Sequence, residues 1–490
     1  MTDELRVALV TPEAAPFARS GELAEFCAAL PRYLASLGMR VSLILPKYST
    51  PQIASLDTIM VSPELAVPLN GERVKASVFK AEQKGYEIYL IDSPKYFLRE
   101  NIYGPPTGNY LDNDERFVFF SRAALEFLRQ AGPPVDVLHC HNWPTALIPV
   151  FLRSHYRDDP VLKSVATVLT LHNTAFQGEF PAESLALTEL NWDFFNPRQI
   201  SLNGKLNFLQ VGAVYADLIN TVSSSYEKEL LSRKRTFELG GILGKRRKFF
   251  TSVRNGIDRE AWDPEKDPYI AANFGPGRLE GKAKCKRDLI AETGLSLSPE
   301  RPVIAFVAHL SRHKGTDILA QSLDGIVALE AGIIICGEGE ERYKKEFAAA
   351  ARRFPGRVVI RFESNPVLIH KIMAGADILL FPSLSEPSGL YQFAAFRYGT
   401  VPVARATGGL KETIRQVNLR TGSGNGFVFR DYTAGSLLRA VKQAVACYSG
   451  RPVLWRGLME EGLRQEYSWE ETARGYSRLY RKALESKRGG

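Results

Sequence analysis

Five short polar segments each follow a strand-like apolar run and carry residues suited to binding or moving charge. They are Pro12 to Gly21, His139 to Thr145, His172-Asn173, His309 to Gly315 and Ser383 to Leu390. Among them stand a cation, Lys314, a carboxylate, Glu386, and a strand-end histidine, His172. Pro387 suits the first turn of a helix, so Glu386 is predicted at a helix start, where free N–H groups favour a phosphate. Ligands of open α/β sheets sit where strands end, which is where these segments fall.

Metal chemistry finds less support. The five cysteines are scattered with no CxxC pair, which argues against a zinc ribbon or a disulfide framework and for packed, reduced thiols. Asp112-Asn113-Asp114 spells an Asp-x-Asp triplet, but no metal role is expected of it. His139 and His141 are expected on opposite faces of a continuing strand, a poor arrangement for chelation.

The elements that must position these groups alternate. Strand-like runs occur at 5–10, 41–45, 87–91, 135–139, 166–171 and 218–222, and again at 303–310, 332–336, 357–362, 377–381 and 401–404. Helical patterns lie between them, beginning with Leu23, Phe26, Leu30, Leu34 and Leu37, where Pro31 is expected to kink the helix. Two strand-and-helix series joined by a Pro-, Gly- and charge-rich stretch at 256–300 predict an α/β protein with two Rossmann-like domains facing a cleft. The expected division is 1–255, 256–468 and a final helix, 469–490.

Lys and Arg number 63 against 54 Asp and Glu, a net charge of +9 that suits an anionic partner such as a nucleotide diphosphate, a nucleic acid or a membrane surface. Basic clusters stand at Arg233-Lys234-Arg235 and at Lys245 to Lys248, with no recognition helix, finger or aromatic-interleaved motif nearby, so nucleic acid is not expected. No apolar run reaches about 18 residues, so no membrane span is expected. The start, MTDELRVALV, lacks a signal-peptide layout, which leaves the cytoplasm as the expected location.

Beyond these properties, several segments resemble bacterial glycogen synthases and plant starch synthases, over residues 5–482. APFARSGELAEFCAALP resembles the family's donor loop with its Lys-x-Gly-Gly-Leu, and HCHNWPTALIP its His-x-His-Asp-Trp-His. TLHNTAFQGEFP, NFLQVGAVYAD, SVRNGIDREAWDP, AHLSRHKGTDIL and FPSLSEPSGLYQFAAFRYGTVPVARATGGLKETI are similar as well. IYGPPTGNYLDNDERF looks like the acceptor-side segment. The resemblance implies the GT-B architecture, no cofactor or required metal, ADP-glucose (or UDP-glucose) as donor, an α-1,4-glucan as acceptor, and a final helix crossing back onto the first domain. It leaves the oligomeric state open.

It also implies roles. Glu386 would contact the transferred glucose, with His172 beside that sugar and Lys314 as the cation at the departing phosphate. Ser388, Gly389 and Leu390 would approach the diphosphate, and Thr407, Gly408 and Gly409 would hold diphosphate and glucose through amides. Asn255 would touch sugar hydroxyls. Arg19, Ser20 and Gly21 would form the donor loop, and Tyr103 and Asn142 would face sugar or acceptor. Breaking a glucose–diphosphate bond builds negative charge on the phosphate, which is why fixed cations and amides are wanted there.

The chain departs from the family pattern at several of these places. Arg19 replaces the loop lysine, Glu22 the second glycine, Glu25 and Asn142 aspartates, and Pro144 a histidine. His309 replaces an arginine that normally joins Lys314, exchanging a permanent fork of donors for a single neutral one, with Arg312 three residues on as a substitute. Three readings follow: an active glucan synthase, a weakened paralogue that binds glucan or regulates an active partner, and an enzyme with another donor or acceptor. A nicotinamide-dependent dehydrogenase is a distant fourth, because Pro12 to Gly21 is not GxGxxG.

Overall fold

The computed structural model describes residues 4–105, 108–192, 201–202, 204–232, 237–363 and 365–489. Arg233-Lys234-Arg235 and Pro106-Thr107 of the acceptor-like segment lie outside them. The chain forms two compact units, Met1–Asn255 with Trp469–Gly490, and Gly256–Ser468.

The first unit is built on a nine-stranded sheet. Its strands are β1 (Arg6–Val10), β2 (Arg40–Pro46), β3 (Ile59–Leu69), β4 (Glu72–Gln83), β5 (Tyr86–Asp92), β6 (Val137–His141) and β7 (Ala166–Leu171), followed, after a small three-stranded sheet of β8 (Glu179–Phe180), β9 (Ser201–Leu202) and β10 (Lys205–Asn207), by β11 (Leu218–Thr221) and β12 (Phe250–Ser252). The order is β12-β11-β7-β6-β1-β2-β5-β4-β3, parallel from β12 to β5. Strands β1, β6 and β7 are almost wholly buried, as parallel strands covered on both faces must be. β1 pairs with β2 on one side and β6 on the other, so the chain leaves the sheet in opposite directions at that point. The loops after β1, β6 and β7 therefore gather at one sheet end.

The hairpin β3–β4, with β4 antiparallel to β5, extends the sheet beyond the strands expected from sequence. Its turn is Asn70-Gly71, both at positive φ (52° and 78°), as a two-residue hairpin turn requires. The helix Glu22–Ser36 runs unbroken through the buried Pro31. The final helix, Trp469–Gly489, belongs to this unit: Trp469 stacks on Tyr33 at 6.2 Å, and Ala473, Tyr476 and Tyr480 are fully enclosed.

The second unit is a six-stranded parallel sheet of β13 (Val303–Val307), β14 (Gly332–Cys336), β15 (Val358–Arg361), β16 (Ile378–Phe381), β17 (Val401–Arg405) and β18 (Phe427–Phe429), ordered β15-β14-β13-β16-β17-β18. The β13 run stops at Val307, so His309 stands in the loop. β13 is the reversal point here, and the loops after β13, β16 and β17 meet beside it.

Two local expectations need correction. Glu386 is not at a helix start: the helix is Tyr391–Arg397, and Gly389 at φ +73° holds the left-handed conformation that a right-handed helix cannot pass through. His139 and His141 share a face, because positions two apart in a strand point the same way; their rings lie 4.1 Å apart.

Candidate active site

In the first unit the loop after β1 is organised around Glu13, which sequence reasoning overlooked. Its Oε2 accepts from the backbone N–H of Ser20 (2.8 Å) and of Gly21 (3.0 Å), and its Oε1 accepts from the Tyr103 hydroxyl (2.6 Å). The amides of Ser20 and Gly21, expected in the donor loop, are thus committed to an internal carboxylate. Tyr103, expected at sugar or acceptor, ties its hydroxyl to the same group. Burial pushes the Glu13 carboxyl above its ordinary pKa, against the three hydrogen bonds that favour its ionised form. Arg19 and Glu25 form an exposed ion pair at 3.0 Å, and Glu22 opens the following helix, where an acid suits the dipole.

Asn142 follows β6 at φ +54° and ψ −165°, a strained backbone conformation outside the left-handed helical region. Its Oδ1 accepts from the backbone N–H of His172 (2.8 Å) and Asn173 (3.3 Å). An aspartate would accept the same two bonds, so this departure from the family pattern keeps the clamp. It also places Asn142 behind His172 as a backbone tie, where contact with sugar had been expected. His172 is 9% exposed, and its Nε2 lies 3.1 Å from Nδ1 of His141. Burial holds the His172 imidazole at a pKa of about 3, so it is neutral at working pH. Asn255 is also buried, with an Oδ1 that has no hydrogen-bond partner among the described residues.

The acidic triplet is structural. Arg99 Nη1 donates to Asp112 at 2.8 Å, Asn113 donates to the Tyr103 carbonyl, and Asp114 accepts from Ser184. Among the described residues no group of three or more His, Cys, Asp or Glu is placed to hold a metal ion. Within the basic run, Arg246 donates inward to the carbonyls of Ala213 and Val214.

In the second unit Lys314 and Glu386 come together. Lys314 Nζ donates to Glu386 Oε1 at 2.7 Å, and Ser383 Oγ donates to Oε2 at 2.7 Å. Glu386 is 3% exposed, so its charge is held by a cation and a hydroxyl rather than by water. The loop carrying it is fixed from beneath: Gly409 N–H donates to the Glu386 carbonyl at 3.0 Å, and Arg405 Nε to the Ser383 carbonyl at 2.6 Å. A Cβ on Gly408 would fall 1.9 Å from the Glu386 carbonyl oxygen, and one on Gly409 2.1 Å from that of Ser388. Only glycine permits that approach. The Gly409 amide is therefore spent on the loop and not offered to a diphosphate. Thr407 precedes these glycines as the buried N-cap residue of the helix Gly408–Thr413.

Ser388 is buried and Leu390 caps the helix Tyr391–Arg397. Gln392 donates to the Ser388 carbonyl at 3.0 Å, while its Oε1, beside Gly389, is buried with no partner among the described residues. His309 is exposed in part, and desolvation lowers its pKa, so it is uncharged at neutral pH. Arg312 points to Asp317 at 3.8 Å from an exposed position and does not join Lys314 on Glu386.

Residues 6–245 match the family described as starch synthase catalytic domain, and residues 293–452 match glycosyl transferases group 1. The glycogen synthase of Koribacter versatilis is 38% identical over 98% of both chains. Glycogen synthase 2 of Geobacter sulfurreducens is 38% identical over 99% of this chain and all of its own. The catalytic domain of starch synthase IV from Arabidopsis thaliana, solved with ADP and acarbose bound, superposes with a TM-score of 0.91 at 28% identity, covering 98% of this chain and 100% of that one. Likeness at that level over the full length, with Lys314 paired to a buried Glu386 on a glycine-sealed loop, assigns the chain to the glycogen synthase and starch synthase family of GT-B glycosyltransferases.

Proposed function

We propose that the chain is a retaining glucosyltransferase that extends an α-1,4-glucan with glucose from ADP-glucose. One observation carries this reading: Lys314 forms an ion pair with the buried Glu386, whose loop Gly408 and Gly409 let close. In the reaction the C1–O bond to the diphosphate breaks and its electron pair leaves with ADP. A glucan hydroxyl oxygen forms the new bond to C1 and gives up its proton to the departing phosphate.

Lys314 supplies the positive charge at that phosphate, where a preorganised donor is worth about 3 kcal/mol. Glu386 aims the ammonium and faces the sugar. His172, kept neutral by burial, contributes a hydrogen bond and no charge. On this reading Met1–Asn255 carries the acceptor side and Gly256–Ser468 the nucleotide sugar, in the cytoplasm, and no cofactor is called on. ADP-bound starch synthase IV supports the choice of nucleotide.

Incubation with ADP-glucose labelled in the sugar, and in parallel with labelled UDP-glucose, tests the proposal on glycogen. Incorporation from ADP-glucose is the expected result. No polymer label from either donor rejects it, and label from UDP-glucose alone moves the donor.

His309 favours a second reading, a weakened paralogue that binds glucan, because an exposed neutral histidine stands where the family carries an arginine. That reading expects glycogen binding without turnover, and His309→Arg raising turnover about tenfold or more. High activity that His309→Arg leaves unchanged ends it.

A further inference from the structure

We infer that His141 is a positioning residue for His172: it donates its Nδ1–H to His172 Nε2 and so fixes the tautomer in which His172 offers an Nδ1–H to a bound ligand. The inference rests on the reading of His172 as a contact of the transferred sugar. The two rings are 5.3 Å apart between centroids, and the nitrogens that face each other are 3.1 Å apart. Burial keeps both imidazoles neutral, so a single proton lies between these nitrogens.

Only two arrangements exist. If His172 donated, His141 would carry its own proton on Nε2, which is buried and has no partner among the described residues. A buried, unpaired N–H is a rarer and costlier orphan than an unused lone pair. If His141 donates, Nε2 is left only with a lone pair, and the proton of His172 moves to Nδ1. That atom has no hydrogen-bond partner among the described residues and is not one of the fully enclosed polar atoms. His172 thus meets a ligand as a donor, suited to a sugar hydroxyl or phosphate oxygen, and not as a base.

The donor ring is itself immobile. His139 lies 4.1 Å from it and Phe26 5.5 Å. His139 is held at both nitrogens, by the Tyr480 hydroxyl at 2.8 Å and Thr170 Oγ1 at 2.5 Å. The Thr145 hydroxyl accepts from the backbone N–H of His141 at 2.7 Å.

Long-range proton–nitrogen NMR on the full chain, labelled at histidine nitrogens and assigned with His172→Gln, reads the tautomer directly. The expected result is Nδ1–H on His172, and Nε2–H on His172 overturns the inference. In kinetics, His141→Leu is expected to lower kcat about tenfold with little change in the donor KM. His141→Asn, whose amide nitrogen sits near the Nδ1 position, recovers most of that loss. An undiminished kcat in folded His141→Leu also overturns the inference. Should the tautomer prove right while His172→Gln turns over normally, the failure lies with the role given to His172.

Discussion

Lys314 Nζ and Glu386 Oε1 lie 2.7 Å apart, the lysine side chain 28% exposed and the glutamate 4%. The pair is unequal: water reaches the cation and hardly touches the anion. Removing the lysine therefore leaves a buried carboxylate without that cation, whereas removing the carboxylate leaves a cation that solvent can take up.

That inequality sets the first prediction. Lys314→Met is expected to cost about 3 kcal/mol and Glu386→Gln clearly less, because breaking a buried pair is dominated by the charge left behind. Combining them should recover part of the Lys314→Met loss. Each single variant should cut turnover roughly a hundredfold, more than it weakens glycogen binding. Denaturant melts and initial rates check this; equal destabilisation by the two singles would show that the charges are solvated.

Gly408 gives the second. Alanine there meets the Glu386 carbonyl oxygen at 1.9 Å from a backbone at φ +45°. Gly408→Ala is expected to lose about 2 kcal/mol or more, since carbonyl oxygen cannot yield as a side chain does. Turnover should fall with it. Gly457→Ala is the control: its Cβ meets nothing within 4 Å inside the helix Pro452–Leu463, so a gain of roughly 0.5–1 kcal/mol is expected.

Much of this fold was legible because parallel strands buried on both faces read as near-continuous apolar runs, as in VIAFV and GIIIC. The hairpin β3–β4 escaped because its half-exposed strands alternate and admit Glu, Lys and Pro; Asn70-Gly71 was the signal available for it. Lys314 and Glu386 were identified from residue type and family pattern, and the structure brings them together. The helix start assigned to Glu386 failed because Pro387 is only permissive, while Gly389 two residues on takes a left-handed turn. Glu13 was invisible for another reason. One of its partners, Tyr103, lies 90 residues away, and a lone acid after a strand shows no pattern.

Glu13 supports a pH prediction. Its folded-state pKa lies above the ordinary 4.5, so the folded chain binds this proton more tightly than the unfolded one. Stability contributed by Glu13 is therefore full below pH 4.5 and is lost as pH rises through the raised folded value. Glu13→Gln should flatten that segment of a urea-stability profile. Tyr103→Phe removes a bond that favours the carboxylate and should move the segment to higher pH. A profile that Glu13→Gln leaves unaltered would mean that the carboxylate is solvated.

The final helix is tied to the sheet by a one-directional run of hydrogen bonds. Asn220 Oδ1 can only accept, so Thr170 donates to it; Thr170 in turn accepts from His139 Nε2, which leaves His139 Nδ1 to accept from Tyr480. Asn220 Nδ2 completes the run by donating to the Tyr476 hydroxyl at 3.1 Å. Tyr480→Phe orphans the buried His139 Nδ1 and should cost about 1–3 kcal/mol. Tyr476→Phe should cost less, because Asn220 Nδ2 also reaches the Thr221 carbonyl at 3.3 Å. Both rings remain to fill their space, so a loss in either variant reports the hydroxyl alone. Calorimetric melting of the two variants reads the order, and a Tyr476→Phe loss exceeding that of Tyr480→Phe would reverse the direction assigned to the run.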